Sequence, residues 1–137
     1  MQEHVNGRFK GVCVDVVHSR DNLGFGMKDY ATLVFAMAVP GRTGIFASRK
    51  LPMTLHQGSA MRRLLEQWRG APFTDEQVSD FDIDNCIGVG AQARVNSSRS
   101  HGGRVYVHAQ ELYPLSKADT PPIPKDYIRQ HHRQSVA

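Results

Sequence analysis

In the run 104-RVYVHAQELY-113, Arg104, Tyr106 and His108 alternate with Val105, Val107 and Ala109. An extended strand with that spacing sends a cation, a ring and an imidazole to one face and the aliphatic groups to the other. Cations interleaved with flat rings suit a single-stranded nucleic acid, because guanidinium and ammonium groups meet phosphates while bases stack on aromatic faces. Residues of the same types recur nearby: Tyr30, Phe35, Phe46, Arg49 and Lys50 in the second and third strand-like runs, Arg94 in the fourth, and Arg20, Lys28, Arg42 and Arg99 in connecting segments. The expected contact set is Lys28, Tyr30, Phe46, Arg49, Lys50, Arg94, Arg99, Arg104, Tyr106 and His108. Each has a structural alternative. An alternating strand is also what an ordinary solvated sheet face looks like, and Phe35 and Phe46 share faces with apolar neighbours that favour the core.

Other chemistry is poorly represented. Asp82 and Asp84 in 80-DFDID-84 lack a third acid or histidine at a partnering spacing, so capping and turn formation are expected of them rather than metal binding. His131-His132 has no cysteine or spaced histidine to complete a metal site. There is no GxxxxGK[ST] phosphate loop and no GxSxG nucleophile elbow. Cys13 and Cys86 stand in apolar surroundings outside any CxxC pair and read as buried thiols. His56 is expected to bond backbone near a helix start. No catalytic residue, metal or cofactor is expected, and the missing acidic cluster weighs against a small nuclease. The net charge of +4 leans toward a polyanionic partner.

These groups need a frame. Residues 11–17, GVCVDVV, alternate with Val12, Val14 and Val16 on one face, and turn chemistry with Asp21-Asn22 and two glycines follows. Residues 29–39 form a second strand with apolar groups on both faces, which predicts a central position. After a turn at Pro40-Gly41-Arg42-Thr43-Gly44, residues 45–55 read as a third strand that bends or meets an edge at Pro52. A helix follows, capped by Ser59 and striped by Met61, Leu64, Leu65 and Trp68, then stopped by Gly70 and Pro72. Arg62, Arg63 and Arg69 are expected on its solvated side. Thr74 caps a second helical turn, and residues 89–98 and 104–113 give the fourth and fifth strands, with a turn at 100–103. Residues 1–10 read as a frayed N-terminus, 11–117 as one domain, and 118–137 as a flexible tail, proline-rich and then basic. Three strands, a helix and two strands is the order of a five-stranded OB-fold barrel, with Trp68 in a helix that plugs its end. No apolar run reaches the ~18–20 residues needed to span a bilayer. The start of the chain lacks a secretory pattern, so a cytoplasmic protein without membrane contact is expected.

A longer pattern runs through the middle of the chain: Ser48-Arg49-Lys50, Thr54-Leu55-His56, Ser59, Trp68-Arg69-Gly70, Pro72-Phe73-Thr74, Phe81-Asp82-Ile83 and Ile87-Gly88. It resembles a family of small bacteriophage and prophage proteins, similar to OB-fold single-stranded-DNA-binding or replication-associated proteins. The likeness extends over about residues 11–117. It implies a non-enzymatic protein of the bacterial host cytoplasm that binds single-stranded DNA with little sequence preference, in phage DNA replication or recombination. It also implies phage or host replication and recombination proteins as partners. A homo-oligomer is expected because one OB-fold offers only a short groove and an open sheet edge. Two departures stand out. The loop after the first strand is short, and the tail is basic where bacterial single-stranded-DNA-binding proteins end in an acidic tip. The alternative is an OB-fold interaction or assembly module of a phage that binds no nucleic acid.

Overall fold

The computed structural model describes residues 7–22, 24, 26–39, 42–99, 105–125 and 127, without side-chain detail at 38, 39, 42, 43, 96–99 and 105–110. It is a mainly β protein with two helices. The strands are β1 (Gly7–Asn22), β2 (Met27–Val39), β3 (Arg42–Ala47), β4 (Leu51–Pro52), β5 (Gly90–Arg99) and β6 (Val105–Pro114). Between β4 and β5 lie α1 (Ala60–Arg69), α2 (Asp75–Asp80) and a 3-10 turn at Ile83–Cys86; a second 3-10 turn, Lys117–Asp119, follows β6. The strands form one sheet in the order β1-β5-β6-β3-β2-β4, and β1 also pairs with β2. All pairings are antiparallel except β3 with β6, which meet through one parallel pair of partners, Ala47 and His108.

The β1–β2 hairpin runs from Gly11 opposite Met37 to Asn22 opposite Met27. Its turn follows from local chemistry. The Gly24 N–H donates to Asn22 Oδ1 at 2.9 Å, and Gly24 and Gly26 take φ of 105° and 84°, a region closed to most side chains. Central placement of β2 holds as expected: Leu33, Phe35 and Met37 enter the main core, while Val34 and Ala36 enter a second apolar cluster on the other side. The valines of β1 do not share one face. The register slips between Cys13 and Asp15, a bulge that leaves Val12 and Val14 in the second cluster and turns Cys13 and Val16 into the main core.

The expected third strand is two. Chain pairing breaks at Ser48, whose N–H donates to Leu33 O at 2.8 Å while its Oγ accepts from the Leu33 N–H at 3.0 Å. The hydroxyl takes over a ladder position, the chain turns, and β4 resumes for two residues with Pro52 opposite Tyr30. Six strands therefore stand where five were expected. Residues 7–10 are not a frayed end either, since Gly7 to Lys10 pair with Val95 to Gln92 in β5. The tail joins the fold in part. Lys10 meets Asp119 at 3.8 Å, and the Tyr127 hydroxyl donates to Asp15 Oδ2 at 2.9 Å from the second cluster. The turns expected at residues 40–41 and 100–103, and the stretch from residue 128 onward with His131-His132, lie outside the described residues.

Helix α1 forms where its caps and stripe predict. Ser59 Oγ accepts from the Arg62 N–H, and Gly70 closes the helix at φ 75° with its N–H donating to Glu66 O. Met61, Leu65 and Trp68 are buried, worth roughly 1.5–3 kcal/mol each. Trp68 meets Phe35 edge-on at 5.5 Å between ring centroids and donates through Nε1 to Gly90 O at 2.8 Å. Gln67 Oε1 accepts from the Leu112 N–H at 3.1 Å. Helix α1 thus seals the core against β5 and β6. In α2, Thr74 and Gln77 exchange both bonds of a capping box. No helix among the described residues is long and apolar enough to cross a membrane.

Candidate nucleic-acid interface

On β1, β5 and β6 the alternation sorts residues into two sides. Phe9, Ala93 and Leu112 are cross-strand partners that pack into the core. Their neighbours make two rows on the opposite side: Arg8, Arg94 and Glu111 in one, and Lys10, Gln92 and Tyr113 in the next. The Arg8 guanidinium lies 4.0 Å from the centroid of the Tyr113 ring. The Tyr113 hydroxyl donates to Glu111 Oε1 at 2.7 Å, and Arg94 Nη1 reaches the same oxygen at 3.4 Å. These donors, the tyrosine hydroxyl foremost and the arginine second, hold the Glu111 carboxyl below its ordinary pKa despite some desolvation. At neutral pH it is an acceptor only.

Glu111 also lines a groove of about 540 Å³ between Ser48–Leu51 and α1, where Arg49 and Arg63 stand with Gln67. The two features join at Glu111. Arg49 and Arg63 on the groove side of Glu111, with Arg94, Arg8, Tyr113 and Lys10 on its sheet side, make up a band of mixed cations and one ring. Five cations face two acids along it, Glu111 at the middle and Asp119 against Lys10 at the far end.

The expected contact residues divide. Arg49 and Arg94 lie on the band. Lys50 pairs with Asp21 at 2.8 Å, and Lys28 stands opposite Asp21 in the register, so both sit toward the hairpin tip instead. The Lys50 ammonium is the main reason the Asp21 carboxyl is held below its usual range. Tyr30 and Phe46 correct the expectation. Tyr30 is 4% exposed because β4 flanks it, and Phe46 is 6% exposed because it faces Phe35 within the main core. Neither offers a ring face to a base. For Arg99, Tyr106 and His108 only the strand positions are described, opposite Val105, Ser98 and Asn96. Arg104 lies outside the described residues.

Arg8, Lys10 and Tyr113 were missed. Their signal was present: 8-RFK-10 and 111-ELY-113 alternate polar and apolar groups just as the later run does. The polar residues at the start read as an end, when they are the outer half of a strand.

Several other chemistry-bearing residues are held by structural partners. Arg62 is not on a solvated face: it bonds Glu66 Oε2, Leu55 O and Phe73 O. Asp82 accepts from the Asp84 N–H, and Asp84 meets His18 Nε2 at 2.7 Å. At His56 the bonds near the helix start are made by its own backbone: the N–H donates to Thr54 Oγ1, and the carbonyl accepts from the Ser59 N–H. No group of three or more His, Cys, Asp or Glu stands together among the described residues. Cys13 and Cys86 are buried free thiols, and burial pushes both up to about 12, which leaves them protonated and unreactive at neutral pH.

Comparison with known proteins finds no matching family model, no matching curated protein and no matching solved structure.

Proposed function

We propose that this protein binds single-stranded DNA without catalysing a reaction, as an OB-fold protein of phage or prophage DNA replication or recombination. The observation that carries the reading is the band from Arg49 and Arg63 to Arg94, Arg8 and Lys10 with the Tyr113 ring among them. Arginines and lysines spaced along an extended surface suit a phosphate backbone, and a ring between them suits an unpaired base. The OB-fold part is supported by the pairings: β1 to β2 to β3 in sequence, β3 parallel to β6, then β6 to β5 and back to β1. The helices enter between β4 and β5, where an OB-fold carries its plug. The phage family remains a proposal from the middle motif.

Anisotropy of a dye-labelled oligo-dT tests the reading at low and high salt. Binding is expected at about 50 mM salt and weaker by about 200 mM, with a log–log slope near −0.7 per phosphate contact. An oligonucleotide left unbound at low salt overturns it.

One observation favours the interaction-module alternative. An apolar hollow of about 380 Å³ lies between α1 and the 3-10 turn, lined by Trp68, Phe73, Phe81, Cys86 and Val89, and Val89 is 45% exposed. Under that reading, light scattering shows a discrete oligomer or complex while oligonucleotides of every kind stay free.

A further inference from the structure

A carboxylate in the middle of a cationic band is unfavourable for a polyanion, so Glu111 calls for a physical account. Charge neutralisation of Arg94 is a weak one. The contact is 3.4 Å long, and the side chains are 53% and 35% exposed, the regime in which ion pairs contribute little. The stronger bond comes from the Tyr113 hydroxyl at 2.7 Å. That bond fixes the carboxylate beside an aromatic ring. Both contacts fall on Oε1, and Oε2 accepts from no donor among the described residues. The site therefore offers a ring, the Arg8 guanidinium 4.0 Å over it, and a carboxylate whose second oxygen accepts from no donor among the described residues.

We infer that Glu111 and Tyr113 form a guanine subsite within the single-strand track, a preference that rests on the single-strand reading above and refines it. On its Watson–Crick edge guanine presents two adjacent donors, N1–H and the N2 amino group, which match the two oxygens of a carboxylate. Adenine and cytosine each place one amino donor beside a ring-nitrogen acceptor, and thymine places one N–H between two carbonyls. Each would set an acceptor against the carboxylate. As guanine arrives, the long Arg94 contact yields, which leaves that guanidinium for a phosphate. Every other contact in the track meets backbone or a ring face and accepts any base.

The experiment uses the full chain and labelled oligo-dT of about ten nucleotides, all-dT or with one central dG, dI, dA or dC. The parent is expected to bind the dG oligomer about tenfold tighter than all-dT, the worth of one good bidentate pair. The dI oligomer, which keeps N1–H but lacks the N2 amine, falls between. In Glu111→Gln the preference drops below about twofold while all-dT binds at least as well as to the parent, because a negative charge has left the track. A circular-dichroism spectrum and urea midpoint like the parent's show that the variant folds, and loss of all-dT binding by a folded Glu111→Gln overturns the subsite as drawn. Glu111→Ala, which leaves the Tyr113 hydroxyl without its acceptor, is expected to lose the same preference. Equal binding of all five oligomers by the parent, or a dG preference that survives Glu111→Gln, overturns the subsite and leaves single-strand binding standing. Failure to bind any oligomer overturns both.

Discussion

Arg62 and Glu66 meet at 3.3 Å on α1, and Arg94 and Glu111 meet at 3.4 Å across β5 and β6. The groups and separations nearly match, but the surroundings do not. The Arg62 side chain is 14% exposed and also donates to the carbonyls of Leu55 and Phe73, while Glu66 accepts from the Phe73 N–H at 2.8 Å. Together they tie the entry to α1, the helix itself and the segment beyond Gly70 into one unit. The Arg94 side chain is 53% exposed and has no such backbone commitments among the described residues. What separates a structural pair from one available to a ligand is the engagement of backbone, not the distance between charges.

The largest expected effect lies on the helix side. Trp68→Ala removes a buried ring and the donor to Gly90 O, and should cost about 3–5 kcal/mol in urea unfolding followed by circular dichroism. A loss near that of a surface substitution would break the view that α1 seals the core. Arg62→Ala comes next, at about 1–3 kcal/mol, because two part-buried carbonyls lose a charged donor.

Acid sharpens the same contrast. The Phe73 N–H, foremost, and the Arg62 guanidinium hold the Glu66 carboxyl below its ordinary pKa. A lowered folded-state value means the contribution is complete above the ordinary glutamate pKa and is lost as pH falls through the lowered one. Glu66→Gln should therefore flatten the acid limb of a stability-against-pH curve. An unchanged limb would show that Glu66 does not carry it.

The smallest stability effect belongs to the sheet face, where function should change instead. Arg94→Ala is expected to leave unfolding within about 0.5 kcal/mol of the parent. It should weaken oligo-dT binding about threefold to tenfold at low salt, with a shallower salt slope. A large stability loss without an affinity change would reverse the comparison.

What the sequence disclosed follows the reach of the forces involved. The caps of α1 and α2 at Ser59, Gly70 and Thr74 are local hydrogen-bond chemistry, and the expected boundaries agree with the structure within a residue or two. The core role of Trp68 was legible from its spacing to Leu65 and Met61. The bulge at Val14 was not, because three alternating valines carry no sign of an extra residue opposite Phe35 and Val34. The burial of Tyr30 depends on β4 folding back to set Pro52 beside it, a contact 22 residues away that no local window contains. Arg49 and Arg94 were found by residue type. Arg8 and Tyr113 needed the pairing of β1 with β5 and β5 with β6 to appear as neighbours.

The lone tryptophan is also an optical instrument with a fixed field of view. Its indole is bonded to Gly90 at the start of β5, on the core side, and Gly90 in turn lies against Thr120 of the tail. Arg94 lies four residues further along the same strand, roughly 13 Å away. Intrinsic emission from this protein should follow unfolding and the seating of residues near 120. Tyr113 pairs with Gln92, two residues past Gly90, and its side chain is on the face away from the indole. A dye on the oligonucleotide therefore reports stacking there more directly than the tryptophan does.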